Sequence, residues 1–328
     1  MNRIIYTILC SAVACCLASC GGKKGGSDTT PKDSVQVPAF NADSAMASIK
    51  TQCDFGPRTL GSQAHSDCAQ YIEDAFTALG CEVSRQDADF ILYNGQRFRG
   101  CNIIASYKPD LEERILLCTH WDSRPWADND PDPANHHSPV PAANDGASGV
   151  AVMIEIARVL SQNAPTIGVD FVCFDAEDAG LPEWETTFRG DEQSTWCLGA
   201  QYWAAHPHRT DFRFGILLDM VGGKGATFYK ELFSQRYADS VVTLVWEAAK
   251  SAGYSSLFPD ENGGAITDDH LPLNLIADIP TIDIIPYYPG MEHSFGSTWH
   301  TLSDTPQNID PNTLKAVGQT LLQLIYTY

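Results

Sequence analysis

Apolar residues recur along this chain in two rhythms. Short runs enriched in β-branched residues read as buried strands: Asn102 to Tyr107, Ile115 to Thr119, Gly168 to Phe174, Phe214 to Leu218 and Pro280 to Ile285. Between them, apolar positions fall at helical spacing. Residues 40–80 read as helical, clearest from Ala64 to Leu79, with Gly80 as a C-terminal cap. Ser148 to Leu160 predicts a helix with Val150, Met153, Ile154, Ala157 and Leu160 on one face. Asp239 to Ala252 predicts another. A last helix starts at Asp310-Pro311, an N-cap followed by proline at the first helical position, and runs to about Tyr326. Strands that alternate with helices and are apolar on both faces imply an α/β fold. The expected form is a three-layer sandwich around a central, largely parallel mixed sheet.

The N-terminus breaks this rhythm. Arg3 gives a basic start, Ile4 to Leu17 is apolar, and Leu17-Ala18-Ser19-Cys20 closes the stretch. That is too short to span a bilayer as a helix and reads as a secretory signal. Its ending resembles a bacterial lipoprotein signal, in which Cys20 is acylated and becomes the first mature residue. The implied product is an exported, membrane-anchored, periplasm-facing protein. Residues 21–36 are largely Gly, Ser, Lys and Thr with almost nothing apolar and read as a flexible tether. The expected organisation is a signal over 1–19, a lipid-anchored linker over 20–36, and one catalytic domain over 37–328.

A net charge of -20 argues against nucleic acid as a partner and against attraction to anionic lipid. The acidic shell serves solubility, or favours cationic or neutral substrates. Seven cysteines follow Cys20, with no C-x-x-C pair, so thiolate zinc is not expected. An exported chain has room for one or two disulfides among them, with no pairing legible from spacing.

The chemistry gathers at strand ends. His120 follows ILLCT, Glu177-Asp178 follows VDFVCFDA, and Asp219 follows FGILL. His300 comes in a loop after PTIDIIP, and Asp145 stands just before the helix near Ser148. In open α/β sheets the site lies beyond the carboxyl ends of the strands. Oxygen and nitrogen ligands there suit zinc, with one carboxylate left as a proton carrier. Singly, each residue has a plainer reading. His120-x-Asp122 could be a hydrogen-bonded core pair, or Asp122 could orient His120 toward a metal. Asn144-Asp145-Gly146 could be a turn and N-cap. Glu177-Asp178 could be a solvated loop edge, but two charges at a dry site are costly without a cation. Thr267-Asp268-Asp269-His270 reads as a pocket wall, a turn or a cap. The loop Asn129 to Val140, with His136-His137, reads as proline-rich and solvated rather than as an extra metal site.

In order, His120-x-Asp122, Asn144-Asp145, Glu177-Asp178, Leu218-Asp219 and His300-Thr301-x-x-Asp304 resemble the co-catalytic zinc aminopeptidase superfamily, from about residue 45 to 328. Within it the chain looks like the glutaminyl cyclases, in their bacterial lipoprotein branch. His120-Trp121-Asp122-Ser123-Arg124-Pro125 and Asp268-Asp269-His270-Leu271-Pro272 carry this likeness, with Trp299 before His300 and an aromatic insert from Leu181 to Leu198. The resemblance implies one zinc ion on Asp145, Asp178 and His300, with Glu177 as proton shuttle. It implies Asp219 and Asp268 as holders of the substrate amine, and Trp299 and Trp184 as its grip. The implied substrates are peptides or proteins with N-terminal glutamine, closed to pyroglutamate with loss of ammonia. Two departures stand out. Animal cyclases carry Glu-Glu at 177–178, and a histidine of theirs is replaced by Asp283. A two-zinc aminopeptidase, with His120 and Asp219 as further ligands, is the rival reading. A non-catalytic binding module is the third.

Overall fold

The computed structural model describes residues 36–291 and 293–328. The expected signal, Cys20 and all but the last residue of the tether lie outside the described residues. Six strands form one sheet: β1 (Glu82–Ile91), β2 (Arg97–Tyr107), β3 (Arg114–His120), β4 (Gly168–Phe174), β5 (Gly215–Leu218) and β6 (Thr281–Ile284), in the order β1-β2-β4-β3-β5-β6. Strands β4, β3, β5 and β6 run parallel, and the β1–β2 hairpin adds antiparallel to β4. The sheet is therefore mixed and largely parallel, as expected.

Alternate residues of each strand feed opposite faces. Ile103, Leu117, Phe171, Ile216 and Ile282 join one core, shared with α1 (Ala42–Asp54), α2 (Gln63–Ala78), α3 (Ala147–Gln162), α5 (Leu232–Ser251) and α7 (Pro311–Thr327). Ile104, Leu116, Cys118, Val172 and Leu217 join the other, under α4 (Leu198–Ala205) and α6 (His270–Leu275). Three layers result.

Four local readings change. The helical stretch over 40–80 is two helices, because Gly56-Pro57 and Gly61 interrupt it, with Gly56 at φ 98. Strand β1 has no apolar run because it is an exposed edge strand; its pairing follows the Asn94-Gly95 turn. Helix α3 is buried on nearly all sides rather than one, with Ile154 and Arg158 half-buried and only Ser161 and Gln162 at its end exposed. Helix α5 begins at Leu232, seven residues before the predicted Asp239, with non-helical backbone at Ala238. All seven described cysteines are free thiols, so no disulfide forms among the described residues. No described helix is long and apolar enough to cross a membrane.

Candidate active site

The parallel register brings the strand ends level. His120 closes β3 opposite Phe174, the last residue of β4, and Asp219 follows β5 directly. After β4 the chain turns through Ala176 at φ 55, which aims Glu177 and Asp178 over the sheet edge. Met220, beside Asp219, has φ 50, and His300 itself has φ 54. A non-glycine residue in this region costs about 1 kcal/mol or more, so the surrounding packing holds these turns in place. Helix α3 starts where its backbone nearly touches the strands. A Cβ on Gly146 would lie 2.7 Å from the His120 ring, and one on Gly149 would meet Thr119 Oγ1 and the Leu218 carbonyl.

Two metal-competent groups share Asp145: His120–Asp145–Asp219 and Asp145–Asp178–His300. His120 Nε2 lies 2.9 Å from Asp145 Oδ1 and 3.2 Å from Asp219 Oδ1. His300 Nε2 lies 3.0 Å from Asp178 Oδ1 and 3.9 Å from Asp145 Oδ2. On the far side of each ring stands a buried carboxylate, Asp122 at 3.4 Å from His120 Nδ1 and Asp128 at 3.4 Å from His300 Nδ1. A carboxylate behind a histidine fixes the ring and its tautomer for a metal in front. Asp122 also accepts from the backbone N–H groups of Glu177 and Asp178, at 3.1 and 3.2 Å. Asp304 accepts from those of Asn144 and Asp145, at 2.8 and 3.1 Å, which accounts for the spacing from His300 to Asp304.

The site is crowded with carboxylates. Burial pushes Glu177 well above the usual range, and Asp178 and Asp268 beside it add to this while His120 opposes it. Burial and then Asp178 raise Asp145 to about 6. Burial also raises Asp269 to about 8, and Asp268 and Asp283 well above their usual range. Asp178 goes the other way: burial would raise it, but His300 and Arg124 hold it low. Asp178 Oδ2 and Asp268 Oδ2 are buried with no hydrogen-bond partner. Such a set of nitrogen and oxygen donors, short of positive charge, fits a divalent zinc ion.

Over these groups lies a cavity of about 440 Å³. Glu177, Asp219 and Asp268 face it, and Trp196, Phe295 and Trp299 supply aromatic wall. Trp299 stacks on the His300 ring at 3.8 Å. Trp184, expected at the substrate, lies elsewhere: it is 39% exposed and packs on Trp126 and His137. The tryptophan that the insert lends to the pocket is Trp196. His136 contacts the Asp130 carbonyl, and neither His136 nor His137 belongs to a metal-competent group among the described residues.

Sequence reading missed three further residues. Asp128 stands behind His300. Arg124, buried, spans Asp128 and the Asp178 carbonyl (3.0 Å) and lies over Trp196 at 4.5 Å. Cys197 donates its thiol to Glu177 Oε1 at 3.4 Å. Arg124 falls in the His120–Pro125 segment that carries the likeness, but no role could be read there for it, for Asp128 or for Cys197, since each acts across a loop fold.

A three-layer α/β sandwich that delivers two histidines and a set of carboxylates from parallel strand ends defines a zinc-dependent exopeptidase-like protein. The chain belongs to peptidase family M28, whose family model matches residues 102–325. It is similar to Bacteroides thetaiotaomicron glutaminyl cyclase, solved bound to N-acetylhistamine, at 50% identity over 89% of this chain and 100% of that one, with a TM-score of 0.86. It is nearly as similar to a leucine aminopeptidase precursor from Bacteroides thetaiotaomicron VPI-5482, at 49% identity over 90% of this chain and 100% of that one, with a TM-score of 0.85. Among curated proteins it is 22% identical to the glutaminyl-peptide cyclotransferase of Bos taurus, over 95% of this chain and 93% of that protein. It spans only 41% and 44% of the lengths of two other curated relatives.

Proposed function

We propose that this chain is a zinc-dependent glutaminyl-peptide cyclotransferase, which closes an N-terminal glutamine to pyroglutamate and releases ammonia. One observation favours a single zinc over the two-zinc reading. Asp178 Oδ2, in the Asp145–Asp178–His300 group, is buried with no partner, whereas no side-chain atom of His120, Asp145 or Asp219 is left so. Asp145, Asp178 and His300 would hold the ion, which when bound supplies Lewis acidity at the side-chain γ-carbonyl.

The chain's own residues do the rest. Glu177 and Asp268 face the cavity where the free α-amine must sit. The amine nitrogen attacks the carbonyl carbon of the side-chain γ-amide, a ring C–N bond forms, and the amide C–N bond breaks. Glu177 takes the proton from the amine and returns it to the departing nitrogen, which leaves as ammonia. Its raised pKa suits a group that must both accept and donate. Asp219 and Asp268 hold the amine in line with the side-chain carbonyl carbon. Trp196 and Trp299 exclude water, which favours ring closure over hydrolysis.

The test uses residues 37–328 with zinc and a Gln-Ala amide, read by mass spectrometry. The expected products are a pyroglutamyl peptide and ammonia, with kcat reduced about 100-fold or more in Glu177→Gln. Free glutamine plus alanine amide would instead establish the aminopeptidase, which the His120–Asp145–Asp219 group could serve as a second metal site.

The substrates are peptides or proteins that present an N-terminal glutamine. The chain is further proposed to be an exported bacterial lipoprotein, periplasm-facing and anchored in the bilayer through acylated Cys20. The Leu17-Ala18-Ser19-Cys20 ending supports this. Labelling with a radioactive fatty acid should mark the chain and be lost in Cys20→Ala; label retained in that variant would refute it.

A further inference from the structure

A second cavity, of about 240 Å³, adjoins the first. Both are lined by Gln193, Trp196, Thr267 and Asp268, so the two meet at those residues, an inner half over the catalytic groups and an outer half beside it. The outer half is walled by α6 and the residue after it: Leu271, Pro272, Leu275 and Ile276. Leu275 is 61% exposed and Ile276 53%, among the most exposed large apolar side chains described. A single exposed leucine needs no explanation, but adjacent apolar residues lining a groove do.

The shelf is held in place from below. Leu273 and Pro272 are buried, and the Asn274 amide bridges the His270 and Thr281 carbonyls, each at 2.8 Å. A surface fixed before binding loses little entropy when it is filled.

The chemistry fixes which way a substrate leaves the inner half. The amine sits at Glu177 and Asp268, and the γ-carbonyl reaches the other way, toward Asp145, Asp178 and His300. The carbon that bears the amine also bears the carbonyl that continues the chain. On the cyclase reading the peptide therefore departs from beside Asp268, one of the four residues that line both cavities. An extended chain advances about 3.3–3.6 Å per residue, so the next one or two residues pass over α6.

We propose, on the basis of the cyclase reading, that the outer half is a subsite for the peptide following the glutamine, and that it selects a large apolar side chain at the first or second following residue. Asp191, on the rim of the same half, makes it unfavourable for acidic residues.

The experiment measures kcat/KM for Gln-Ala-Ala, Gln-Leu-Ala, Gln-Ala-Leu and Gln-Glu-Ala amides. The zinc-loaded protein is compared with its Leu275→Ser/Ile276→Ser variant. At least one leucine peptide should exceed the alanine peptide by about 10-fold, mainly through KM, the size expected for burying one leucine side chain. The glutamate peptide should be poorest. The leucine-to-alanine ratio should collapse toward one in the double variant and persist in Ile91→Ser, a change at an equally exposed residue on edge strand β1. A ratio near one in the unaltered protein, or one untouched by the double variant, overturns the subsite. If no glutaminyl peptide is cyclised, the function proposed above fails separately. Calorimetric binding of the same peptides then decides the subsite, which falls if leucine peptides bind no tighter than alanine ones.

Discussion

At the scale of the residue, Arg124 joins parts of the site that are distant in sequence. Its buried guanidinium grips Asp128, which stands behind His300, and donates to the Asp178 and Leu181 carbonyls. The same group lies flat against Trp196, on the pocket wall. A lysine would keep the charge but lose the planar fork and the stacking. Arg124→Lys should therefore weaken zinc binding by about 10- to 100-fold, measured by chelator competition, and lower kcat/KM as well. Asp128→Asn should weaken zinc to a similar extent, because the support behind the His300 ring is diminished. Zinc affinity left intact in both variants would mean that these residues only pack. Glu177, Asp178 and Asp219 stood out in the sequence because they follow apolar runs, whereas Asp145, Asp268, Trp299 and His300 stood out by the motifs around them. The roles of Arg124, Asp128 and Trp196 were not legible, although Arg124 stands in the His120–Pro125 motif and Trp196 in the aromatic insert. Their roles exist only once the loop after β3 has folded against the loop after β4. Trp184 misled for the same reason: spacing alone cannot say which tryptophan of an insert turns inward.

At the scale of the element, the buried parallel strands were the easiest to read, since both of their faces are covered. Strand β1 was invisible because it is an edge whose side chains alternate between water and a small cluster. Helix α3 shows what pattern alone underestimates. It lies so close to β3 and β5 that Gly149 has no room for a methyl group against Thr119 and the Leu218 carbonyl. Gly149→Ala should destabilise the fold by about 1–3 kcal/mol, seen as a lowered melting temperature, although alanine is the better helix former. Unchanged or increased stability would show that the helix can slide. Because Asp145 stands just before α3, the same variant should also lose zinc affinity.

At the scale of the molecule, the site is a store of unneutralised negative charge. Unfolded aspartates titrate near about 4. In the folded, metal-free chain Asp145 is held at about 6, Asp304 at about 7 and Asp269 at about 8, through burial first and neighbouring carboxylates second. Over that interval the folded state keeps protons that the unfolded chain has released, so stability falls as pH rises. His120 and His300, both raised against burial by the aspartates around them, act in the same direction. Asp128 and Asp178, both lowered, act oppositely, but only as pH falls below about 4. The metal-free protein should melt at a higher temperature at about pH 5.5 than at about pH 8. Zinc should raise the melting temperature more at the higher pH, where no protons need displacing. A metal-free melting temperature independent of pH would sink this account. The seven thiols bear on a different property, the recovery of the molecule after damage. Six are interior, and burial pushes Cys68, Cys81 and Cys101 up to about 12, so the thiolate that attacks disulfides is scarce while the fold lasts. Unfolding sets all seven loose in one chain, with no native pairing to return to. In an oxidising medium each excursion then becomes a one-way loss through scrambled crosslinks, and the working lifetime of the protein is governed by how seldom it opens.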